Sequence, residues 1–379
     1  MYLKDSFGDL YEIVLGFAEI KNGYINIRDI TKLIDVIPKL INSPRKDINN
    51  SKALYYLVLS AAHQSGIYPS SPQKLYKAKG DGSIKHSFLN PVIDCTQDSL
   101  EHIQQIFKAQ NTLGFHLGCL GMKIDNGVID HYSVITKIIS AAILESYTSP
   151  IFLQAGNIKF DFKRFNEGRD HLMDEIREKV KSLINAGIYN LTLDASELIE
   201  ENRSDPLEKL LMNLKMVAMA TNLWVRKYEP RGLTVAVGCV LKQIAGIEIN
   251  IAVFKDYIKR LYKEGSRLRF NTAGEDIVKI TIPNILNTDK PTIKSMNEFM
   301  KRDFGMGGLV LELGEVNTIS TVNEHMGSDF CEVNFNFSNS LKTVDNYSSL
   351  FSSLSNSEVN YHLSDYLLKR DSFPRFEDL

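Results

Sequence analysis

Two patterns of hydrophobic and polar residues divide the chain. Residues 1–70 predict helices, because their apolar residues recur every three or four positions. A further helix is predicted around Ala53–Ala62, after a break at Asn42 and Pro44. The apolar positions that carry the first part of this pattern are Leu10, Ile13, Val14, Phe17, Ile20, Ile30, Leu33, Ile34, Ile37, Leu40 and Ile41.

From about residue 88 the pattern changes to short β-rich runs that alternate with amphipathic helical segments. Eight such runs predict an α/β fold, a closed (β/α)8 TIM barrel. A doubly wound open sheet is the alternative, but no glycine-rich phosphate turn follows the first run. The predicted strands are Asn90–Cys95, Gly114–Cys119, Pro150–Gln154, Tyr189–Asp194, Leu233–Cys239, Asp276–Ile282, Gly308–Glu312 and Cys331–Phe335.

This change of pattern divides the chain into three predicted parts. Residues 1–70 form an N-terminal helical extension, residues 71–342 the barrel, and residues 343–379 a C-terminal arm that is first rich in Ser and Asn. The N-terminal helices carry apolar stripes and no chemistry, so we expect them to serve packing or the formation of a homo-oligomer.

Composition narrows the class of protein. A net charge of −2 argues against a broad nucleic-acid interface. No apolar run reaches the roughly 18–20 residues that a membrane span needs, and Met1–Ser6 lacks the pattern of a signal peptide. Four cysteines stand far apart without metal-binding spacing. These observations predict a cytoplasmic protein that binds neither nucleic acid nor membrane.

The most informative candidate for chemistry follows the fourth predicted strand. The strand ends on Asp194, with Ser196, Glu197 and Glu200 directly after it. TIM barrels carry their active sites at the carboxyl ends of the strands, so these side chains could take part in acid/base chemistry. A serine followed by acidic residues is also what a helix N-terminus favours, so they could equally cap the next helix.

Several segments, in chain order, resemble the class II (metal-dependent) fructose-bisphosphate aldolase superfamily, especially a divergent branch with long loops after the strands. The resemblance covers roughly residues 67–342 and implies a TIM barrel acting on a sugar-phosphate-like carbonyl compound. The segments that carry it are Gly66–Ser71, Leu75–Gly82, Ser149–Asn157, Ala186–Ser196 and Gly232–Gly238.

The resemblance also implies where a zinc ion and a catalytic base would be held, and most of these positions differ here. The first ligand His corresponds to Asn157, and the catalytic Asp before it corresponds to Gly156. The remaining positions of the set correspond to Val240, to the neighbourhood of Thr288, and to Glu312. Valine ligates nothing, and the imidazole set that suits zinc is missing. We therefore expect no metal and no cofactor.

Lys279 offers a different chemistry, because it stands in an otherwise apolar predicted strand. A desolvated lysine at a barrel centre can form a Schiff base with a carbonyl substrate, and the Asp276–Lys279 pattern superficially resembles the metal-independent barrel aldolases. The alternative is a lysine paired with an acid or reaching to the barrel's edge.

Other polar residues cluster at the last two predicted strands. Glu312 and Glu315, close to Asn317 and Thr318, could bind a cation or a cationic substrate, and they sit badly with an anionic phosphate. Around the eighth strand, Asn334, Asn336, Ser338 and Asn339 resemble the tract of the superfamily's phosphate contacts, although Asn and Ser also satisfy strand ends and turns.

Three hypotheses follow. The first is an aldolase-like barrel that has lost metal-dependent catalysis, a pseudoenzyme that serves as a binding, regulatory or assembly protein in carbohydrate metabolism. The second is a metal-independent aldolase or lyase with Lys279 as the amine and Asp194 or Glu312 as acid/base partner. The third is an ordinary metal aldolase whose ligands lie at other positions. The residues expected to bind substrate are Ser196, Asn157, Asn336 and Ser338.

Overall fold

A computed structural model describes most of the chain. The described residues are 7, 11–21, 24–43, 48–82, 90–112, 121–125, 130–242, 249–267, 277–282, 290–326 and 330–354. The predicted strand Gly114–Cys119 and the implied position near Thr288 lie outside them.

Eight parallel strands form a closed barrel, as the hydrophobic pattern predicts. Each strand pairs with the next, and the eighth pairs with the first. The barrel strands are β4 (Asn90–Asp94), β5 (Gly121–Asp125), β6 (Ile151–Lys159), β7 (Asn190–Asp194), β8 (Ala236–Val240), β9 (Ile277–Thr281), β10 (Gly308–Val316) and β11 (Glu332–Phe337). The protein is therefore an α/β (β/α)8 TIM barrel with added N-terminal elements.

The N-terminal part contains a hairpin that the helical pattern did not predict. Strands β1 (Ala18–Lys21) and β2 (Tyr24–Ile27) pair antiparallel, and helix α1 (Tyr11–Leu15) lies directly before them. The prediction of a helix through Ile20 is wrong, because α1 ends in a tight turn at Gly16, whose N–H bonds to the carbonyl of Ile13. Helices α2 (Ile30–Asn42) and α3 (Ile48–Gln64) and the two-residue strand β3 (Pro69–Ser70) follow.

The helices outside the barrel alternate with the strands. They are α4 (Gln73–Gly80), α5 (Leu100–Thr112), α6 (His131–Leu144), α7 (Phe162–Asn185), α8 (Pro206–Lys209), α9 (Leu211–Met219), a π-helical turn (Ala220–Val225), α10 (Arg226–Tyr228), α11 (Ile251–Arg267), α12 (Lys290–Phe304), α13 (Ile319–Met326), a 3-10 turn (Asn339–Leu341) and α14 (Val344–Leu354). None of the described helices is long and apolar enough to cross a membrane.

The second barrel strand was missed at its observed position. The structure places β5 at Gly121–Asp125, whereas the predicted run Gly114–Cys119 lies outside the described residues. The observed strand reads Gly-Met-Lys-Ile-Asp, in which polar residues alternate with apolar ones. Such a run is a poor match to the continuously apolar strand that a parallel sheet usually shows.

The alternation of apolar and polar residues along a strand indicates which side chains face the barrel interior. In β11 the apolar Val333, Phe335 and Phe337 belong to the core between strands and helices, which leaves the intervening positions to face the barrel axis. The intervening residues of β11 are Glu332, Asn334 and Asn336, and those of β7 are Asn190, Thr192 and Asp194. At β7 and β11 the barrel thus has an apolar outer face and a polar inner face.

Candidate functional site: two polar layers in the barrel

The lower layer of the barrel interior is a closed network around Lys279. Its Nζ lies 2.6 Å from Glu332 Oε2 and donates to Gln154 Oε1 at 3.0 Å. Gln154 in turn donates through Nε2 to the other oxygen of Glu332 at 3.0 Å, and Asn190 Nδ2 donates to Gln154 Oε1 at 2.6 Å. The side chains of Lys279 and Glu332 are fully buried. This is the acid-paired alternative foreseen for Lys279.

Tyr76, on helix α4, closes this network from the amino-terminal end of the barrel. Its hydroxyl donates to Glu332 Oε2, and the Nζ of Lys279 lies 5.5 Å from the centre of its ring. The ring belongs to a small apolar cluster that forms the barrel floor, made of Tyr76, Ala236, Val278, Val310 and Cys331. The lower layer is therefore bounded by side chains from below and on its sides.

A glycine makes room for the lysine. A Cβ on Gly238, in the neighbouring strand β8, would come within 2.8 Å of two carbons of the Lys279 side chain. Only glycine lets the alkyl chain of Lys279 lie against the β8 backbone at this point. Gly238 ends the segment Gly232–Gly238, which carries part of the aldolase resemblance. This glycine thus has a packing role here.

The upper layer lies one step nearer the carboxyl ends of the strands. Lys123 of β5 forms an ion pair with Glu312 of β10 at 3.2 Å, across the barrel. These two side chains are 14% and 23% exposed, so solvent reaches them. A Cβ on Gly156 would lie 3.7 Å from Cε of Lys123 and 3.3 Å from Cβ of Thr192, which places β5, β6 and β7 around one space.

Several polar atoms of this layer are buried without a hydrogen-bond partner. Asn334, next to Glu312 in the β10–β11 register, is 4% exposed, and its Oδ1 has no partner. Thr281 Oγ1, at the end of β9, and the Oδ1 atoms of Asn157 and Asn336 also have no hydrogen-bond partner. A buried acceptor without a donor costs roughly 1–3 kcal/mol, so these groups are ready to bind a molecule that supplies hydroxyl hydrogens.

Asp194 and Ser196 lie together at the mouth and satisfy each other. The Oδ1 of Asp194 accepts from the backbone N–H of Ser196 at 3.2 Å and from its hydroxyl, while Oδ2 lies 2.9 Å from Nζ of Lys242. Glu197 is 3.8 Å from the same Nζ. The pair therefore orders the loop after β7, and this geometry fits the structural alternative at least as well as acid/base chemistry.

The same local motif occurs after the first barrel strand, and sequence reasoning missed it. Asp94 accepts from the backbone N–H of Thr96 at 2.9 Å and from its hydroxyl, as Asp194 does from Ser196. The shared spacing Asp-x-Ser/Thr at two strand ends was the signal available in the sequence. The structure also adds Lys123, Gln154, Glu332 and Tyr76 to the interior, none of which stood out as a motif.

The residues present do not fit the zinc centre that the resemblance implies. Val240 is fully buried and offers no donor atom, and Gly156 has no side chain that could abstract a proton. Glu312, the one carboxylate of the set, is neutralised by Lys123, whose ammonium would repel a metal ion. Among the described residues no group of three or more His, Cys, Asp or Glu could hold a metal ion.

The other predicted residues lie apart from the two layers. Ser338 follows β11, with its hydroxyl 3.3 Å from that of Ser340. The hydroxyl of Thr318 accepts from the backbone N–H of Thr321 at 3.4 Å, at the start of α13, and Glu200 pairs with Arg203. Glu315 is exposed.

The described cysteines Cys95, Cys239 and Cys331 are all buried. Burial raises the pKa of the Cys239 and Cys331 thiols to about 12, and it raises that of Cys95 as well. A thiol that does not ionise is a poor nucleophile, so these three residues are packing residues.

Comparison with known proteins finds similar solved structures but no family. No family model matches the chain, and no curated protein matches it. Among solved structures, it is similar to one assigned to a fructose-1,6-biphosphate aldolase from Coccidioides immitis, with 15% identity, a TM-score of 0.43, and coverage of 81% of this chain and 99% of that one. A structure assigned to a deoxyribose-phosphate aldolase from Toxoplasma gondii ME49 gives 11% identity, a TM-score of 0.36, and coverage of 75% and 98%.

A GH18 chitinase from Pseudoalteromonas aurantia is similar at the same level, with 10% identity, a TM-score of 0.39, and coverage of 70% of this chain and 99% of that chain. The similar structures thus include aldolase-like TIM barrels at low identity and low TM-score. Values this low carry no argument about activity.

Proposed function

We propose that this protein is an aldolase-like barrel that works without zinc, as a binding, regulatory or assembly protein rather than as a metal-dependent aldolase. One observation carries the proposal: Glu312, the one carboxylate at the positions that the resemblance implies for the zinc centre, forms an ion pair with Lys123. A lysine ammonium 3.2 Å from that carboxylate satisfies its charge and opposes a divalent cation.

The ligand that we propose is a small, sugar-like molecule held at the upper layer. This layer is polar, reached by solvent at Lys123 and Glu312, and carries unpartnered amide oxygens on Asn334 and Asn157. Hydroxyl groups of a sugar-phosphate-like compound, the class implied by the resemblance, would supply donors to these oxygens. Ser196, Asn336 and Ser338 remain proposed contacts of such a ligand.

A second candidate function is the metal-independent lyase with Lys279 as the amine. The observation in its favour is that the barrel encloses a fully buried lysine. Against it, Nζ is held between Glu332 Oε2 at 2.6 Å and Gln154 Oε1 at 3.0 Å, with the Tyr76 ring on a further side. A carbonyl carbon would have to displace these groups before it could bond to the nitrogen. Asp194 and Glu312, the proposed acid/base partners, each already pair with a different lysine, Lys242 and Lys123.

Metal content and turnover test the first proposal. The full chain, purified without chelator, should contain far less than one zinc per chain. It should cleave fructose 1,6-bisphosphate no faster than buffer does, with or without added zinc. Turnover that EDTA abolishes and zinc restores would overturn the proposal.

Reductive trapping tests the second candidate. Borohydride added to the wild-type protein with dihydroxyacetone phosphate should leave the mass of the peptide that contains Lys279 unchanged. Because the experiment uses wild-type protein and locates any adduct by peptide fragmentation, it does not depend on the folding of a variant. A stable adduct on Lys279 would establish the lyase instead.

The division of the chain, its oligomeric state and its location are further proposals. We propose the division into residues 1–70, 71–342 and 343–379, a homo-oligomer formed through the N-terminal elements or an association with a partner protein, and a cytoplasmic location. Light scattering on the full chain would test the oligomer, which a single monomer mass would exclude.

A further inference from the structure

The sequence between each barrel strand and the helix that follows it is poor in basic residues. The segments between each barrel strand and the next helix are residues 95–99, 126–130, 160–161, 195–205, 241–250, 282–289, 317–318 and 338–343. Together they contain three basic residues, no histidine, and nine acidic residues. A site for a phosphate group needs the opposite balance.

The three basic residues of these segments are already paired with carboxylates. Lys242 lies 2.9 Å from Asp194, and Arg203 lies 3.2 Å from Glu200. Lys342 is buried against Asp98, with side-chain exposures of 4% and 1%. A phosphate that bound to any of them would first have to separate an existing ion pair.

The barrel strands likewise contain fewer basic residues than acidic ones. The barrel strands contain three lysines, of which Lys279 pairs with Glu332 and Lys123 pairs with Glu312. The third, Lys159, is exposed at the end of β6 and is outside the two interior layers. Of these three lysines, Lys159 is therefore the one placed to hold an anion at the rim.

The groups that the upper layer leaves unsatisfied are uncharged. Asn334 Oδ1 and Thr281 Oγ1 are unpartnered on side chains that are 4% and 1% exposed, and the Oδ1 atoms of Asn157 and Asn336 are unpartnered as well. Amide and hydroxyl groups of this kind hydrogen-bond hydroxyls well, and they add no charge that would require a counter-ion in the ligand.

We propose that the barrel mouth binds an uncharged polyhydroxylated molecule, a free sugar or a polyol, and discriminates against its phosphate ester. The proposal rests on the proposed ligand-binding function and specifies the ligand class of the same site. The Lys123–Glu312 ion pair keeps the upper layer electrically neutral, and the unpartnered amides and hydroxyl of this layer supply the contacts that select hydroxyl groups.

Calorimetric titration of the full chain at low ionic strength tests this. The probes are D-fructose, xylitol, D-fructose 6-phosphate, inorganic phosphate and putrescine, each at up to about 50 mM so that millimolar dissociation constants are detected. We expect D-fructose or xylitol to bind at least about tenfold more tightly than D-fructose 6-phosphate, with no binding of phosphate or putrescine.

Asn334→Leu is the decisive variant, because leucine has a similar size and cannot hydrogen-bond. It should lower the affinity for the neutral probe by about tenfold or more, while the melting temperature without ligand stays the same or rises, since an unpartnered buried oxygen is removed. The matched control is Asn222→Leu, which changes a buried asparagine with an unpartnered Oδ1 in the π-helical turn outside the barrel. This control should bind the neutral probe as the wild type does.

Four outcomes would overturn the inference: tighter binding of D-fructose 6-phosphate, tighter binding of putrescine, no binding of either neutral probe, or unchanged neutral binding in Asn334→Leu. If the phosphate ester binds and Lys159→Ala abolishes this binding, an anion site at the rim replaces the neutral site. None of these outcomes bears on the absence of zinc chemistry, which the metal and turnover measurements decide separately.

Discussion

The two polar layers inside the barrel contain similar chemistry in different surroundings. Each has a lysine paired with a glutamate contributed by another strand, Lys279 with Glu332 below and Lys123 with Glu312 above. The lower pair is 0% exposed and is bonded further by Gln154 and Tyr76. The upper pair is 14% and 23% exposed. The lower layer is therefore part of the barrel's framework, and the upper layer is the surface that a ligand can reach.

The comparison teaches that an unusual residue in a barrel strand does not by itself locate a site. Lys279 is the more conspicuous lysine in the sequence, since it interrupts an apolar strand. Its charge is enclosed by protein groups, whereas Lys123, in a strand that the hydrophobic pattern did not predict, lies where solvent enters. Access and unpartnered atoms, rather than residue type, distinguish the layer suited to binding.

Breaking the lower pair should have the largest effect. We expect Lys279→Met to lower the free energy of unfolding by about 3–5 kcal/mol, because Glu332 would remain buried without its cation. Urea denaturation measures this change. The double variant Lys279→Met with Glu332→Leu should recover most of the loss, since neither charge then remains buried. A loss below about 1 kcal/mol in the single variant would show that the lower layer is hydrated and not sealed.

The pH dependence of the free energy of unfolding tests the burial of His131 in the barrel's helical layer. Burial, and to a lesser degree the nearby Lys179, lowers the pKa of His131 to about 4, compared with 6.5 for an ordinary histidine. Below pH 6.5, His131 of the unfolded chain therefore binds a proton, whereas His131 of the folded protein stays neutral until the pH approaches about 4. This stabilising contribution is complete above about pH 7 and is lost as the pH falls toward 4, by about 3 kcal/mol in all.

The measurement is the free energy of unfolding at several pH values between 7 and 4. His131→Asn should flatten this part of the curve, because asparagine does not titrate in this range. The control is His171→Asn, which replaces an exposed histidine on α7 and should leave the slope unchanged. An equal effect of the two substitutions would contradict the assignment to His131.

Breaking the upper pair should have the smallest effect on stability. We expect Lys123→Met to lower the free energy of unfolding by only about 1 kcal/mol, because water can hydrate Glu312 after the lysine is gone. The same urea experiment measures it beside Lys279→Met. If the two variants lost equal stability, the distinction between a sealed and an accessible layer would fail.

The fold and part of the site could be predicted from the sequence. Seven of the eight barrel strands lie where the β-rich runs predict them, because helices packed outside the barrel require continuous apolar positions on the outer face. The strand β5 was missed because its sequence, Gly-Met-Lys-Ile-Asp, interrupts the apolar signal with polar residues such as Lys123. The hairpin β1–β2 was missed because four-residue strands fit a helical spacing as easily as an alternating one.

The interior network could not be predicted, because its partners are distant in the chain. Glu332 is 53 residues from Lys279, and Gln154 is 125 residues from it. The alternation of Glu332, Asn334 and Asn336 with Val333, Phe335 and Phe337 was a visible sign of a polar barrel interior. It did not indicate which of these residues would be paired.

The sequence by itself determined the barrel and the carboxyl-end positions of Asp194 and Ser196, because periodicity and residue identity are local properties of the chain. Only the tertiary structure decided that Lys279 is enclosed and that Glu312 pairs with Lys123. Closure of the barrel brings distant strands within ion-pair distance, and the free energy of a buried charge depends on those neighbours and on solvent access.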